Sequence, residues 1–209
     1  SEEMISIASY INASSVIVAD KAGGKLQDNV VYVRFGMWTI SPITFFSCIN
    51  SKMPFIRSNQ AGLTASLDSS KLKEKREELG HSINSMSKMV GVSGRMIFNY
   101  ENKDSEVTIN TALKLHRVFG DNVFEEINIF GTKAVMPGKC TTDVANKYVA
   151  LGFEAADTRK TPFNVIAKKG REIILTEIGD KINPDVKSLS QLIDADNLVI
   201  FDKKKPKDL

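Results

Sequence analysis

The residues of this chain whose types and spacing suit chemistry lie between Ser82 and Lys103. Ser82 stands where a helix needs a cap, and Ile83, Met86 and Val90 recur behind it on one helical face. Gly91 permits a sharp turn through a left-handed conformation. Val92 is placed to plug a core, and Ser93 caps a second helix. Small Ser87 falls where two crossing helices must approach closely. In the second helix Ile97 and Tyr100 predict the inward face, which leaves Gly94, Arg95, Met96, Asn99 and Lys103 outward. Arg95 carries the forked donors that match guanine O6 and N7, and an Asn99 amide matches adenine. Backbone N–H groups and the positive dipole ends at Ser82 and Ser93 suit phosphate oxygens. The candidate duplex contacts are therefore Ser82, Asn84, Lys88, Ser93, Gly94, Arg95, Met96, Asn99 and Lys103. Lys88, Lys103 and the cluster Lys71, Lys73, Lys75 and Arg76 are expected to meet phosphates, which positions a protein without reading sequence.

Other chemistry is poorly supplied. His81 and His116 lie in different helices and read as surface residues. Gly23-Gly24 lacks the further glycines and lysine of a phosphate loop and reads as a turn. Cys48 and Cys140 are far apart, without CxxC spacing, so neither a disulfide framework nor a zinc site is expected, and a reducing cytoplasm suits the chain. No catalytic residue, metal ligand or cofactor is assigned. Trp38 with Phe35, Phe45 and Phe46 is expected to form an aromatic core cluster. Arg159-Lys160-Thr161 and Lys168-Lys169-Gly170-Arg171 read as solvated basic loops.

The elements that position the candidate site fall into three segments. Residues 67–130 contain no proline and read as helices only. A helix over Lys71–Leu79 is capped by Asp68 or Ser69, with Leu72 and Leu79 buried. The paired helices described above follow. A fourth helix is capped by Thr108, turns Ile109, Ala112, Leu115 and Phe119 inward and stops at Gly120. A short fifth helix is expected at Asn122–Asn128. Residues 1–66 read as an α/β segment. Its helix covers Glu2–Asn12, with strands at Val16–Ala19, Val30–Phe35 and Trp38–Ile40. A second helix begins at Ser41-Pro42 with Ile43, Phe46 and Ile49 inward, and Met53–Leu67 is loop-like. Residues 131–209 open on a Gly/Pro/Lys linker. They continue as a helix capped by Thr141 or Thr142, three strands, a helix near Val186–Asp194 and a last strand at Leu198–Phe201. The tail from Asp202 reads as solvated. The fold expected is a multidomain α+β protein: a central all-α five-helix domain flanked by two small α/β segments.

Composition is that of a soluble globular protein, 42% hydrophobic and 25% charged, which argues against disordered and collagen-like classes. No apolar run approaches the roughly 20 residues that cross a bilayer, and the acidic start is unlike a secretory signal. Net charge is +3, and its distribution matters more than its size. Residues 71–100 carry six Lys/Arg against three Glu, whereas residues 101–130 carry three against six acids. A local basic face is thus available in a chain of low overall charge.

SINSMSKMVGVSGRMIFNYE followed by VTINTALKLHRVFG resembles the lambda-repressor-like, Cro-type helix-turn-helix family. NVVYVRFGMWTISPITF, LKEKREELGHSI and GFEAADTRKTPFNVIAKKGREIILTEIG, in that order, look like archaeal helix-turn-helix transcriptional regulators. The resemblance implies a cytoplasmic, nucleoid-associated transcription factor that binds double-stranded DNA as a homodimer, with no cofactor and no enzymatic activity. It places the recognition helix at about 94–101. Gly94 and Met96 depart from the polar pattern common at those positions, which keeps an architectural DNA-binding protein of low sequence preference as the alternative. The C-terminal segment is weakly similar to the restriction-endonuclease-like fold. There Asn164 stands for the first carboxylate, and Gly179 for the lysine of the Glu177-Ile178-Gly179 motif, so a metal-dependent nuclease is the remote reading.

Overall fold

The computed structural model describes residues 2–60, 62–131, 139–180 and 182–201. In chain order the elements begin with α1 (Glu2–Tyr10), β1 (Val16–Val18), β2 (Val30–Arg34), β3 (Met37–Ile40), α2 (Pro42–Ile49), β4 (Ile56–Asn59) and β5 (Gly62–Leu67). Next come α3 (Ser69–Glu78), α4 (Ile83–Val90), α5 (Gly94–Asn102), β6 (Ser105–Thr108) and α6 (Ile109–Phe119), with a 3-10 turn at Asp121–Val123. The chain ends through α7 (Asp143–Ala150), β7 (Glu154–Asp157), β8 (Val165–Lys169), β9 (Glu172–Ile178), α8 (Pro184–Leu192) and β10 (Asp196–Ile200). Most of the expected linker, residues 132–138, and the tail 202–209 lie outside the described residues.

Two compact units result. One is continuous, Val16–Ile129; the other is built from two pieces, Ser1–Ser15 and Phe130–Leu209. This departs from a boundary at 66/67. The six-stranded sheet of the continuous unit, ordered β1-β3-β2-β4-β5-β6, runs straight across that point. Strands β5 and β6 pair antiparallel, Ala65 opposite Val107 and Leu67 opposite Ser105. Helices α3, α4 and α5 therefore sit on a loop whose two ends are clamped to each other. Residues 67–130 are accordingly not all-α. They hold four α-helices and the strand β6, and the fifth helix expected at Asn122–Asn128 is only the 3-10 turn. After that turn the chain extends instead, so that Phe124 bridges Leu67 and Glu125 N–H donates to Ser66 O.

One core serves these helices and the strands beneath them. Leu72, Met86, Val90, Ile97 and Leu115 are fully buried together, each contributing about 1.5–3 kcal/mol. Leu79, expected in that stripe, is exposed. The segment 53–67, expected as loop, is the β4–β5 hairpin. Helix α2 is rotated from expectation. Thr44 and Cys48 face the core while Ile43, Phe46 and Ile49 are exposed, Phe46 to 69%. The cause is polar. Ser41 Oγ donates to Asp28 Oδ1 at 2.6 Å, and Asn29 N–H donates to Thr44 Oγ1 at 2.8 Å, which turns the Thr44 side inward. Of the aromatic cluster, Trp38 and Phe45 pack against Val31, Ile40 and Cys48, but Phe35 and Phe46 stay exposed.

The two-piece unit is a four-stranded sheet ordered β10-β9-β8-β7, parallel between β9 and β10 and antiparallel elsewhere. Alternation along β8 sends Ile166 to one face, with Tyr10 and Val186, and Val165 and Ala167 to the other, with Ala145 and Tyr148. Helices α1 and α8 thus cover one face and α7 the other. Helix α1, expected within an N-terminal segment, belongs here. Glu3 accepts from the N–H groups of Arg159 and Lys160 at 2.7 and 2.9 Å, and Lys168 Nζ donates to Asn12 Oδ1 at 2.7 Å.

Candidate nucleic-acid interface

Each end of the α4–turn–α5 unit is fixed locally. Ser82 Oγ accepts from Ser85 N–H at 3.0 Å and starts α4; Ser93 Oγ accepts from Met96 N–H at 3.2 Å and starts α5. Gly91 lies between them at φ 73°, ψ 41°, its N–H donating to Ser87 O. An L side chain there would cost about 1–2 kcal/mol in backbone strain. It would also place a Cβ 3.0 Å from Lys114 Nζ, which donates to Val90 O. Val92 packs on the core. Thr108 occupies the cap position of α6 but makes no side-chain cap bond.

The inward side of α5 is Ile97, Tyr100 and Glu101, all buried. A buried carboxylate requires a partner, and Arg76 of α3 supplies it. Arg76 Nε donates to Glu101 Oε1 at 2.6 Å and Nη2 to Oε2 at 2.9 Å, with the side chains only 11% and 2% exposed. Arg76 Nη1 donates to His81 O, in the turn before α4. The hydrogen bonds to Glu101 raise the Arg76 pKa above its ordinary value despite burial. One guanidinium thus ties α3, the α3–α4 turn and α5 together.

That pairing removes Arg76 from the expected phosphate cluster. Lys71 and Lys75 are also engaged, with Asp68 at 3.0 Å and Glu78 at 2.6 Å. Lys88, Arg95 and Lys103 are exposed and form no ion pair among the described residues. Ser82, Asn84, Ser93 and Met96 are exposed as well, and Gly94 and Asn99 are half-buried. Asn84 lies close over α5: a Cβ on Gly94 would come within 3.3 Å of its Oδ1. Asn102, which the sequence reading passed over, is exposed on the stripe of Arg95 and Asn99 and donates from Nδ2 to Phe98 O at 2.8 Å. Its spacing, three beyond Asn99 and seven beyond Arg95, was the available signal.

Residues 72–120 match the family described as helix-turn-helix. The chain carries a helix-turn-helix domain. Over most of its length it is also similar to archaeal proteins that bear the name "Putative HTH-type transcriptional regulatory protein". The Pyrococcus furiosus protein is 26% identical over 98% of this chain and 70% of its own length. The Thermococcus kodakarensis protein is 29% identical over 86% of this chain and 59% of its own. The Methanocaldococcus jannaschii protein is 26% identical over 98% and 70%. The chain thus spans about 59–70% of the length of these relatives. No solved structure matches it.

Residues 1–54, ahead of the helix-turn-helix domain, match the PD-(D/E)XK superfamily domain. Residues 131–209, where a nuclease likeness is expected from the sequence, lie outside that match. In that C-terminal part Asn164 Oδ1 accepts from Ile178 N–H at 2.7 Å. The buried Glu177 carboxylate accepts from Asn183 N–H at 2.7 Å and Asn197 Nδ2 at 3.2 Å. A pocket of about 380 Å³ opens beside them. Among the described residues no three His, Cys, Asp or Glu side chains gather as metal ligands, and none of the helices there is long and apolar enough to cross a membrane. Cys48 and Cys140 are free thiols whose pKa burial raises, which disfavours the reactive thiolate.

Proposed function

We propose that this chain is a non-catalytic, sequence-specific regulator of transcription that lays α5, about residues 94–101, in the major groove of duplex DNA. The observation that carries the reading is the division of α5. Ile97, Tyr100 and the Arg76–Glu101 pair hold one side, and Arg95, Asn99 and Asn102 stand on the other. Arg95 reads guanine and Asn99 adenine, Asn84 sits over the start of α5, and Lys88 and Lys103 meet phosphates. The names of the archaeal relatives favour the same reading. Two copies set their recognition helices about 34 Å apart on a near-palindromic site, in the cytoplasm at the nucleoid.

Selection of sites from random duplexes at near-physiological salt tests this. A guanine-containing consensus that Arg95→Ala relaxes at one position supports it. No enrichment, or an Arg95→Ala protein of unchanged affinity and selectivity, overturns it. Gly94, without a side chain, favours a second reading, an architectural protein of low sequence preference. Equal affinity for selected and random duplexes would point there.

A further inference from the structure

We propose that α5 also reads the 5-methyl groups of thymine, through Met96 and Phe98; the inference rests on the major-groove reading above. Both side chains are well exposed, Met96 to 42% and Phe98 to 53%. Neither belongs to the core cluster beneath the helix, whose places on α5 are filled by Ile97 and Tyr100. That core therefore does not account for their apolar character. Scattered exposed apolar residues are ordinary on a protein surface. These two are not scattered. Met96 lies one turn before Asn99, and Phe98 one turn after Arg95, so they border the polar stripe on its two sides.

The groove supplies a matching chemistry. Base edges there present donors and acceptors, and a single apolar group, the thymine methyl. An adenine bound by Asn99 brings a thymine methyl on the same base pair. Apolar side chains beside the forked donors of Arg95 and the amide of Asn99 complete the set needed to tell A·T from G·C in both orientations. Gly94 and Met96, which lack the polar groups common at those positions, then mark a surface that reads by shape and methyl contact as well as by hydrogen bonds.

The test uses the full chain and a duplex carrying its selected site, with each thymine replaced in turn by deoxyuridine, which removes only the methyl. We expect affinity to fall about fourfold at one or more positions, the weight of one buried methylene group. Met96→Ala and Phe98→Ala should each bind the thymine and deoxyuridine duplexes alike at the position that side chain reads. Both positions are exposed, and unchanged circular dichroism and Tm would show the fold intact. Equal affinity of the parent chain for every deoxyuridine duplex overturns the inference while leaving groove binding standing. So does discrimination that survives both substitutions. Loss of all duplex binding by the parent chain overturns the major-groove reading and this one together.

Discussion

Arg76 commits three guanidinium nitrogens to partners inside its unit, two to Glu101 and one to His81 O. Removing one member of such a pair leaves an unpaired buried charge. Glu101→Ala should therefore cost about 3–5 kcal/mol, read as a lower urea midpoint, whereas Arg76→Met with Glu101→Leu should recover most of it. If Glu101→Ala unfolds at the parent's midpoint, the pair does not anchor α5. Asp157 is a second residue whose charge is structural. Burial pushes its pKa up, but hydrogen bonds from the hydroxyl and N–H groups of Thr142 and Thr141 outweigh burial and lower it. A depressed folded pKa means stability that is present above the unfolded value and lost as pH falls through the folded one. Asp157→Asn should therefore flatten the acid limb of the stability profile of the two-piece unit, followed by denaturation at a series of pH values. An acid limb identical to the parent's would show that this carboxylate carries no such linkage.

At the scale of elements, α4 and α5 were legible because their signals are local. Ser82, Gly91 and Ser93 each do in the fold what their types suggest in sequence, and the 3.6-residue recurrence of Met86, Val90, Ile97 and Tyr100 does the rest. Gly91→Ala should destabilise by about 1–2 kcal/mol and weaken duplex binding by tilting α5, whereas Leu79→Ala, at the exposed C-terminal cap of α3, should do neither. Thermal melts alongside gel shifts separate the two, and a Gly91→Ala protein as stable as the parent would deny the turn its left-handed strain. The hairpin β4–β5 and strand β6 were illegible for the opposite reason. Ile56–Asn59 has a single apolar residue, Ile56, and β6 is four residues long. Their pairing is set by contacts such as Leu67 with Ser105, which a local pattern does not contain. Helix α2 misled because its more apolar side is the exposed one; the Ser41–Asp28 and Thr44–Asn29 bonds that orient it involve residues 13 and 15 positions apart. Lys88→Ala belongs to this scale too. A phosphate contact should reduce the slope of log K against log[salt] by about one without altering base preference, and an unchanged slope would place Lys88 off the backbone.

For the whole molecule, the chain starts in one unit, builds the helix-turn-helix unit from Val16 to Ile129, and returns to complete the first. Sequence order gave no sign of this. The order α7-β7-β8-β9-α8-β10 was readable from period and punctuation, but nothing in Glu2–Tyr10 states that its apolar face docks on strands more than 150 residues away. The consequence can be measured. Tyr10 is fully buried with Ile166, Leu175 and Val186, so Tyr10→Ala should cost about 3–5 kcal/mol, the range for deleting a buried aromatic side chain. The loss should be confined to one unit. Amide hydrogen exchange in β8 and β9 should quicken, while amides in α4 and α5 keep their protection and duplex affinity stays that of the parent. Quickened exchange of comparable size in α4 and α5 would mean that the two units unfold as one. The short N-terminal helix would then be a support of the recognition surface, and the division at Val16 and Ile129 would describe contacts without describing stability.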